Sequence, residues 1–317
     1  MHNIGFGDLD ILRSLVGAWR AIFELVKPEL IITEHSPVAM LAARTSAIKL
    51  VTLGTGFSCP APCERFPDWR PELNRSPAEL LSSEGQVLAN ANEIISQHGA
   101  RSLGRLSDLY RDCDACLLTT YPCLDPFGQR DEDYLGVFPD KDGVEPDWPD
   151  NGNPKVFAYL KPLHGIENLL AALSSSGLST MVRMPGATAE MKSRFPALQW
   201  EDRFLDLVKT ASKAKFCIGH ATHTMSARCL LLGKPMLMVP PFIEQFLTAK
   251  RVFEMGAGLA TAMTDLPSFE KLVGQMQSEH SQLEEAAKHF ASRHQSTHAN
   301  DGLNRAIKKV LKVLDEN

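Results

Sequence analysis

The chemistry-bearing residues of this 317-residue sequence concentrate between Lys215 and Gln245. An apolar stretch, KFCIG, ends at His220, the polar turn Ala221-Thr-His-Thr224 follows, and a helical pattern opens near Ser226. Unpaired backbone N–H groups and the positive end of a helix dipole make such a turn a ready anion site. Glu244-Gln245 opens a further helix, placed beside the first turn. Each residue also has a plainer reading. His220 can be a satisfied core histidine, His223 a turn residue, and Glu244-Gln245 first-turn groups favoured by the helix dipole. Lys161 follows another apolar run and reads as a solvated lysine. Cys113-Asp-Ala-Cys116 is formally a CxxC, but it lies on the approach to a buried strand and no second pair stands at metal-ligand spacing. It and Cys59-Pro-Ala-Pro-Cys63 read as structural thiols.

The elements that must position these groups follow from hydrophobic periodicity. Short apolar runs alternate with helical patterns, the signature of an α/β fold with parallel strands. Expected strands are 29–33, 49–53, 115–122, 156–160, 179–184, 215–219 and 235–239. Expected helices are 12–26, 37–45, 78–98, 166–174, 204–212, 226–232, 244–255, 267–292 and 301–315. Residues 138–154 hold four prolines and almost no aliphatic side chain, which is linker composition. In doubly wound sheets ligands bind outside the carboxyl ends of the strands, so the strand-to-helix turns are the places to look.

Composition narrows the class. Thirty-three basic against 38 acidic residues leave a net charge of −5, which argues against nucleic acid or an anionic membrane as the main partner. No apolar run reaches the roughly 18–20 residues of a membrane helix, and the first residues carry no basic leader. The expectation is a soluble, cytoplasmic protein whose seven cysteines stay reduced.

His220, Pro235, Pro240 and Glu244-Gln245 stand at offsets 0, +15, +20 and +24/+25. That spacing resembles the donor box of nucleotide-sugar glycosyltransferases of the two-Rossmann (GT-B) type, those related to UDP-glucuronosyl- and plant UDP-glucosyltransferases. The resemblance implies two Rossmann-like doubly wound domains. Residues 1–137 would be a partial acceptor-side domain, 138–154 a linker, and 155–317 the donor-binding domain with C-terminal helices. It also implies roles. His220 and the turn, with Thr222, His223 and Thr224, would hold the donor diphosphate, and Glu244 and Gln245 would bond sugar hydroxyls. Thr222 and Thr224 replace family glycines, their hydroxyls able to donate to phosphate or cap the helix. Arg228 replaces a glutamate on the ribose and could pair with phosphate instead. At the start of the box, where an aromatic often stacks on the base, stands Asp202, with Trp200 two residues earlier.

The segment from Arg20 to Pro60 resembles the later part of the acceptor-binding domain. Glu34, at the end of its first strand, takes the position of the acid in the family's catalytic dyad. His35 is the other acid/base group in that loop, though a solvated Glu-His loop before Pro37 is an equal reading. Two or three strand-helix units precede this segment in the family, so the chain reads as N-terminally truncated relative to it. The implied function is sugar transfer from a nucleoside diphosphate sugar to a hydroxyl of a small apolar or lipid acceptor. It would proceed by a metal-independent inverting displacement with no further cofactor. A non-catalytic nucleotide-sugar-binding relic or partner subunit is the second reading, and a redox or metal role for Cys113 and Cys116 the third.

Overall fold

The computed structural model describes every residue except 140, 150, 263–267, 295–298 and 317; for 72 and 299 it describes the backbone alone. The chain forms two compact units, Met1–Gly136 with Asn300–Asn317, and Val137–Ala299.

In the first unit, α1 (Leu9–Val26) starts where the Asp8 carboxylate accepts from the N–H groups of Asp10 and Ile11, and it buries Leu12, Val16 and Phe23. Then come β1 (Leu30–Thr33), α2 (Pro37–Thr45), β2 (Lys49–Gly54), α3 (Pro77–Gln97), the single-turn α4 (Asp108–Arg111) and β3 (Ala115–Leu118). A reciprocal Ser76–Glu79 capping box fixes the start of α3. The three strands pair in parallel in the order β1-β2-β3. Helix faces carrying Leu12, Met40, Leu41, Val87 and Ile94 join one apolar cluster with Leu50.

The second unit runs β4 (Lys155–Tyr159), α5 (Ile166–Ser175), β5 (Ser179–Arg183), α6 (Ala189–Arg194), β6 (Gln199–Trp200) and α7 (Leu207–Lys213). It continues β7 (Phe216–Gly219), α8 (His223–Leu231), β8 (Met236–Met238), α9 (Ile243–Glu254), β9 (Gly258–Ala260), α10 (Phe269–Ser278) and α11 (His280–His294). All six strands are parallel, in the order β6-β5-β4-β7-β8-β9. Numbered within the unit this is 3-2-1-4-5-6, the doubly wound Rossmann order. Val156, Ala158, Phe216, Ile218 and Leu237 build its core with Leu169, Leu170 and Phe269.

The last helix, α12 (Ala299–Asp315), belongs to the first unit. Its Arg305 donates to Asp133 at 2.7 Å, Lys309 pairs with the same carboxylate at 2.9 Å, and Lys49 Nζ donates to the Val313 carbonyl at 2.9 Å. The expected donor-side segment 155–317 is therefore corrected at its end. A stripe of apolar residues shows that a helix is amphipathic, not which core it covers. The expected helix 267–292 is two helices that meet at Glu279, and its first residue lies outside the described ones. Helix α8 starts at His223, nearly one turn before the expected Ser226. The Pro-rich stretch from 138 is bonded to the second unit. Val144 N–H donates to Phe204 O at 2.8 Å and Asp206 N–H to Val144 O at 2.9 Å. Gly143 makes this approach possible, because a Cβ there would lie 2.3 Å from the Asp206 nitrogen. Among the described residues no helix is long and apolar enough to cross a membrane.

Candidate functional site

In the 3-2-1-4-5-6 order the chain reverses direction between β4 and β7, opening a crevice at their carboxyl ends. A cavity of about 400 Å³ lies there. Its walls include Tyr159 at the end of β4, Arg183 at the end of β5, Phe204 before α7, and Thr222 and Thr224 at the start of α8. The Arg183 guanidinium carbon stands 5.1 Å from the Tyr159 ring centre and 5.6 Å from that of Phe204. A hydrogen bond from Arg183 Nε to the Arg203 carbonyl at 2.8 Å holds it there. Phe204 is 53 % exposed, a large apolar ring left open on the cavity wall. The first N–H groups of α8 have no acceptor within their own helix and point out of its amino end. The cavity thus joins a flat aromatic and cationic wall to a helix amino terminus, an end whose free N–H groups favour anions.

His220 organises this edge of the sheet. Its ring is 3 % exposed. Lys161 N–H donates to Nε2 at 2.7 Å, so Nδ1 carries the proton and donates to the Val239 carbonyl at 2.8 Å. One ring thereby ties the loops after β4, β7 and β8. Burial lowers its pKa below the ordinary histidine value, against the upward pull of the Val239 bond. Both nitrogens are committed to backbone, so a diphosphate would meet the α8 terminus that His220 positions, not the imidazole. The plainer reading of a satisfied core histidine describes the ring; the turn it supports is the feature of interest. Ala221 behind it takes φ +55°, a left-handed conformation that glycine adopts more easily.

His223 is buried beneath the turn, and burial pushes its pKa down to about 4. It is neutral at pH 7. Arg228 sends Nη2 to the Phe138 carbonyl, so its guanidinium holds the 138 segment. Glu244 and Gln245 occupy the first turn of α9, at the same carboxyl edge as α8 because β7 and β8 are parallel neighbours. They are not among the cavity-lining residues. Gln245 Oε1 is buried with no hydrogen-bond partner in the protein, which leaves an acceptor for a ligand. Asp202 and Trp200 do not line the cavity. Asp202 pairs with Lys192 at 2.6 Å, and Trp200 packs against the core with its indole N–H directed to the Phe195 carbonyl at 3.4 Å. Sequence reasoning missed Phe204, Tyr159 and Arg183. The one available signal was Phe204, a lone aromatic in the polar run Glu201-Asp-Arg-Phe204.

In the first unit Glu34 and His35 are exposed at the carboxyl end of β1. His35 holds φ +45°, and its ring packs against Phe57 at 5.0 Å between centres. Desolvation lowers the His35 pKa, the amino-terminal charge acts in the same sense, and the Glu34 charge acts in the opposite one. The imidazole is thus kept neutral, the form that can accept a proton.

Two units of parallel sheet and helix, one of them in full Rossmann order with a cavity at its switch point, share the GT-B fold of solved glycosyltransferases. The calicheamicin glycosyltransferase CalG4 superposes over 100 % of this chain and 82 % of its own, with a TM-score of 0.73 at 18 % identity. The glycosyltransferase VinC, solved in complex with dTDP, matches 97 % of this chain and 80 % of its own, with a TM-score of 0.64 at 14 % identity. In sequence the chain is similar to a PGL/p-HBAD biosynthesis glycosyltransferase of Mycobacterium tuberculosis, 23 % identical over 273 residues. That match covers 80 % of this chain and 64 % of the relative's length. No family model matches the chain.

Proposed function

We propose that the chain is a glycosyltransferase that moves a sugar from a nucleoside diphosphate sugar to a hydroxyl of a small apolar or lipid acceptor. The observation that carries this reading is the cavity of the second unit, where the ring of Phe204 and the Arg183 guanidinium face the amino end of α8. A pyrimidine base stacks on Phe204, with its carbonyls accepting from Arg183. The diphosphate lies at the α8 terminus, with Thr222 and Thr224 as hydroxyl donors. Glu244 and Gln245 bond the sugar hydroxyls, Gln245 using its unpartnered Oε1. Similarity to VinC, solved with dTDP, supports dTDP as the first nucleotide to try beside UDP.

The reaction is a single displacement. His35 takes the acceptor proton, Glu34 stabilises the imidazolium that forms, and the acceptor oxygen attacks the anomeric carbon from the face opposite the diphosphate. The leaving diphosphate is met by helix N–H groups, so no metal is required. Seven free thiols fit a reducing, cytoplasmic setting. A binding-only role has in its favour the Thr222 and Thr224 side chains where the family has glycine, and Arg228 where it has glutamate. Incubating the chain with dTDP- and UDP-sugars and a panel of apolar hydroxyl acceptors separates the two. Release of nucleoside diphosphate dependent on acceptor supports transfer, and tight donor binding without it supports the binding role.

A further inference from the structure

One part of the second unit's cavity wall comes from outside its sheet and helices. Pro139 and Lys141 line the cavity together with Phe204, Thr222 and Thr224. Two anchors fix the chain on either side of them. Before Pro139, the Phe138 carbonyl accepts from Nη2 of Arg228, a side chain of α8. After Lys141, Val144 N–H donates to Phe204 O at 2.8 Å, and Val144 O accepts from Asp206 N–H at 2.9 Å. Gly143 lies so close to the same backbone that a Cβ there would stand 2.3 Å from the Leu205 carbonyl carbon. Lys141 is thus held between the helix that opens on the cavity and the segment that carries Phe204.

We propose that Lys141 binds the donor diphosphate and that Arg228, by holding the Phe138 carbonyl, is the residue that positions it. The inference rests on the reading of this cavity as the donor site. Among the described residues two cations line the cavity, Arg183 and Lys141. Arg183 is turned onto Tyr159 and Phe204 and bonded to the Arg203 carbonyl. Lys141 is exposed and has no hydrogen-bond or ion-pair partner among the described residues. Lys209 and Lys213 of α7 are committed elsewhere, to Asp206 at 3.7 Å and to Glu145 at 2.9 Å. Asp142, next to Lys141 in sequence, does not line the cavity.

The charges favour such a residue. A helix amino end offers about half an elementary charge, less than a nucleoside diphosphate carries. Thr222 and Thr224 each place a Cβ where bare glycine backbone would come closer to the phosphates. An ammonium on a flexible stem supplies a full charge and adapts its approach to the anion. Arg228 fits the same device. A glutamate at its position could not donate to the Phe138 carbonyl, whereas a guanidinium can. Its Nη2 is spent on that carbonyl, so Arg228 serves the diphosphate through Lys141.

The test titrates the intact chain and its variants with dTDP and UDP, and measures thymidine and uridine as competitors of the bound nucleotide. Lys141→Ala should weaken the nucleoside diphosphate by about tenfold or more and leave the nucleosides unchanged. Lys141→Arg, which keeps the charge, should restore most of the affinity. Arg228→Met should show the same selective loss, and adding it to Lys141→Ala should cost little more than Lys141→Ala alone. If Arg228→Met fails to fold, the Lys141 variants still decide, because that side chain is exposed. Diphosphate affinity untouched by Lys141→Ala, or an equal loss for nucleoside and nucleotide, overturns the proposal and leaves the donor site standing. A wild-type chain that binds neither nucleotide overturns the donor site and this proposal together.

Discussion

In the proposed donor site Phe204 is the side chain on which the nucleotide base would stack. A base stacked on an aromatic ring gains about 1–3 kcal/mol. Phe204→Ala should therefore weaken dTDP or UDP binding by about tenfold or more in calorimetric titration, while its exposed position leaves the melting temperature nearly unchanged. His220 should behave in the opposite way. His220→Ala orphans the Lys161 N–H and the Val239 carbonyl, and urea denaturation should show a loss of about 3 kcal/mol. His223 carries a pH prediction. In the unfolded chain it takes a proton near the usual histidine value of about 6.5, but in the fold only near 4. Between those values the unfolded state binds more protons, so stability falls as pH drops through this window, by about 3 kcal/mol at its lower end. His223→Gln should flatten that part of the stability–pH curve relative to wild type. The turn residues were legible in sequence because Thr222 and Thr224 sit at fixed offsets within one strand-turn-helix unit. Arg183, Tyr159 and Phe204 were not, because two strand ends and the loop before α7 build that wall and only the sheet order brings them together.

At the scale of elements, α8 is the part whose placement matters most. Its start at His223 leaves Thr224 exposed in the first turn, lining the cavity. Thr224→Glu puts a carboxylate where the helix dipole favours one, worth about 0.3–1 kcal/mol of added stability. The same charge repels a diphosphate. The expected outcome is a slightly raised melting temperature together with loss of nucleoside diphosphate binding. A variant that gained stability and kept its affinity would move the anion site away from α8. Most strands were legible because each is a short apolar run bounded by turn residues, as KLVTL and KFCIG are. The two-residue β6 and three-residue β9 were too short to give a period. The attachment of α12 to the first unit was illegible for a different reason. It depends on Asp133 and the carbonyls near the chain's end meeting Arg305, Lys309 and Lys49, a tertiary match with no local signal.

At the scale of the whole molecule, the proposed reaction draws its donor site from the second unit and Glu34 and His35 from the first. Glu34→Gln removes the charge beside His35 without touching the donor cavity. It should lower turnover by roughly a hundredfold or more and leave donor affinity unchanged. A parallel fall in both would mean that Glu34 serves structure instead of proton transfer. Behind all of these expectations stands the claim that the crevice between β4 and β7 holds a nucleoside diphosphate. Titrating the intact chain and Phe204→Ala with dTDP and UDP in a calorimeter tests it most directly. One binding site per chain is expected for at least one of the two nucleotides, weakened about tenfold or more by the substitution. No heat with either nucleotide on folded protein, or an affinity untouched by Phe204→Ala, would contradict it.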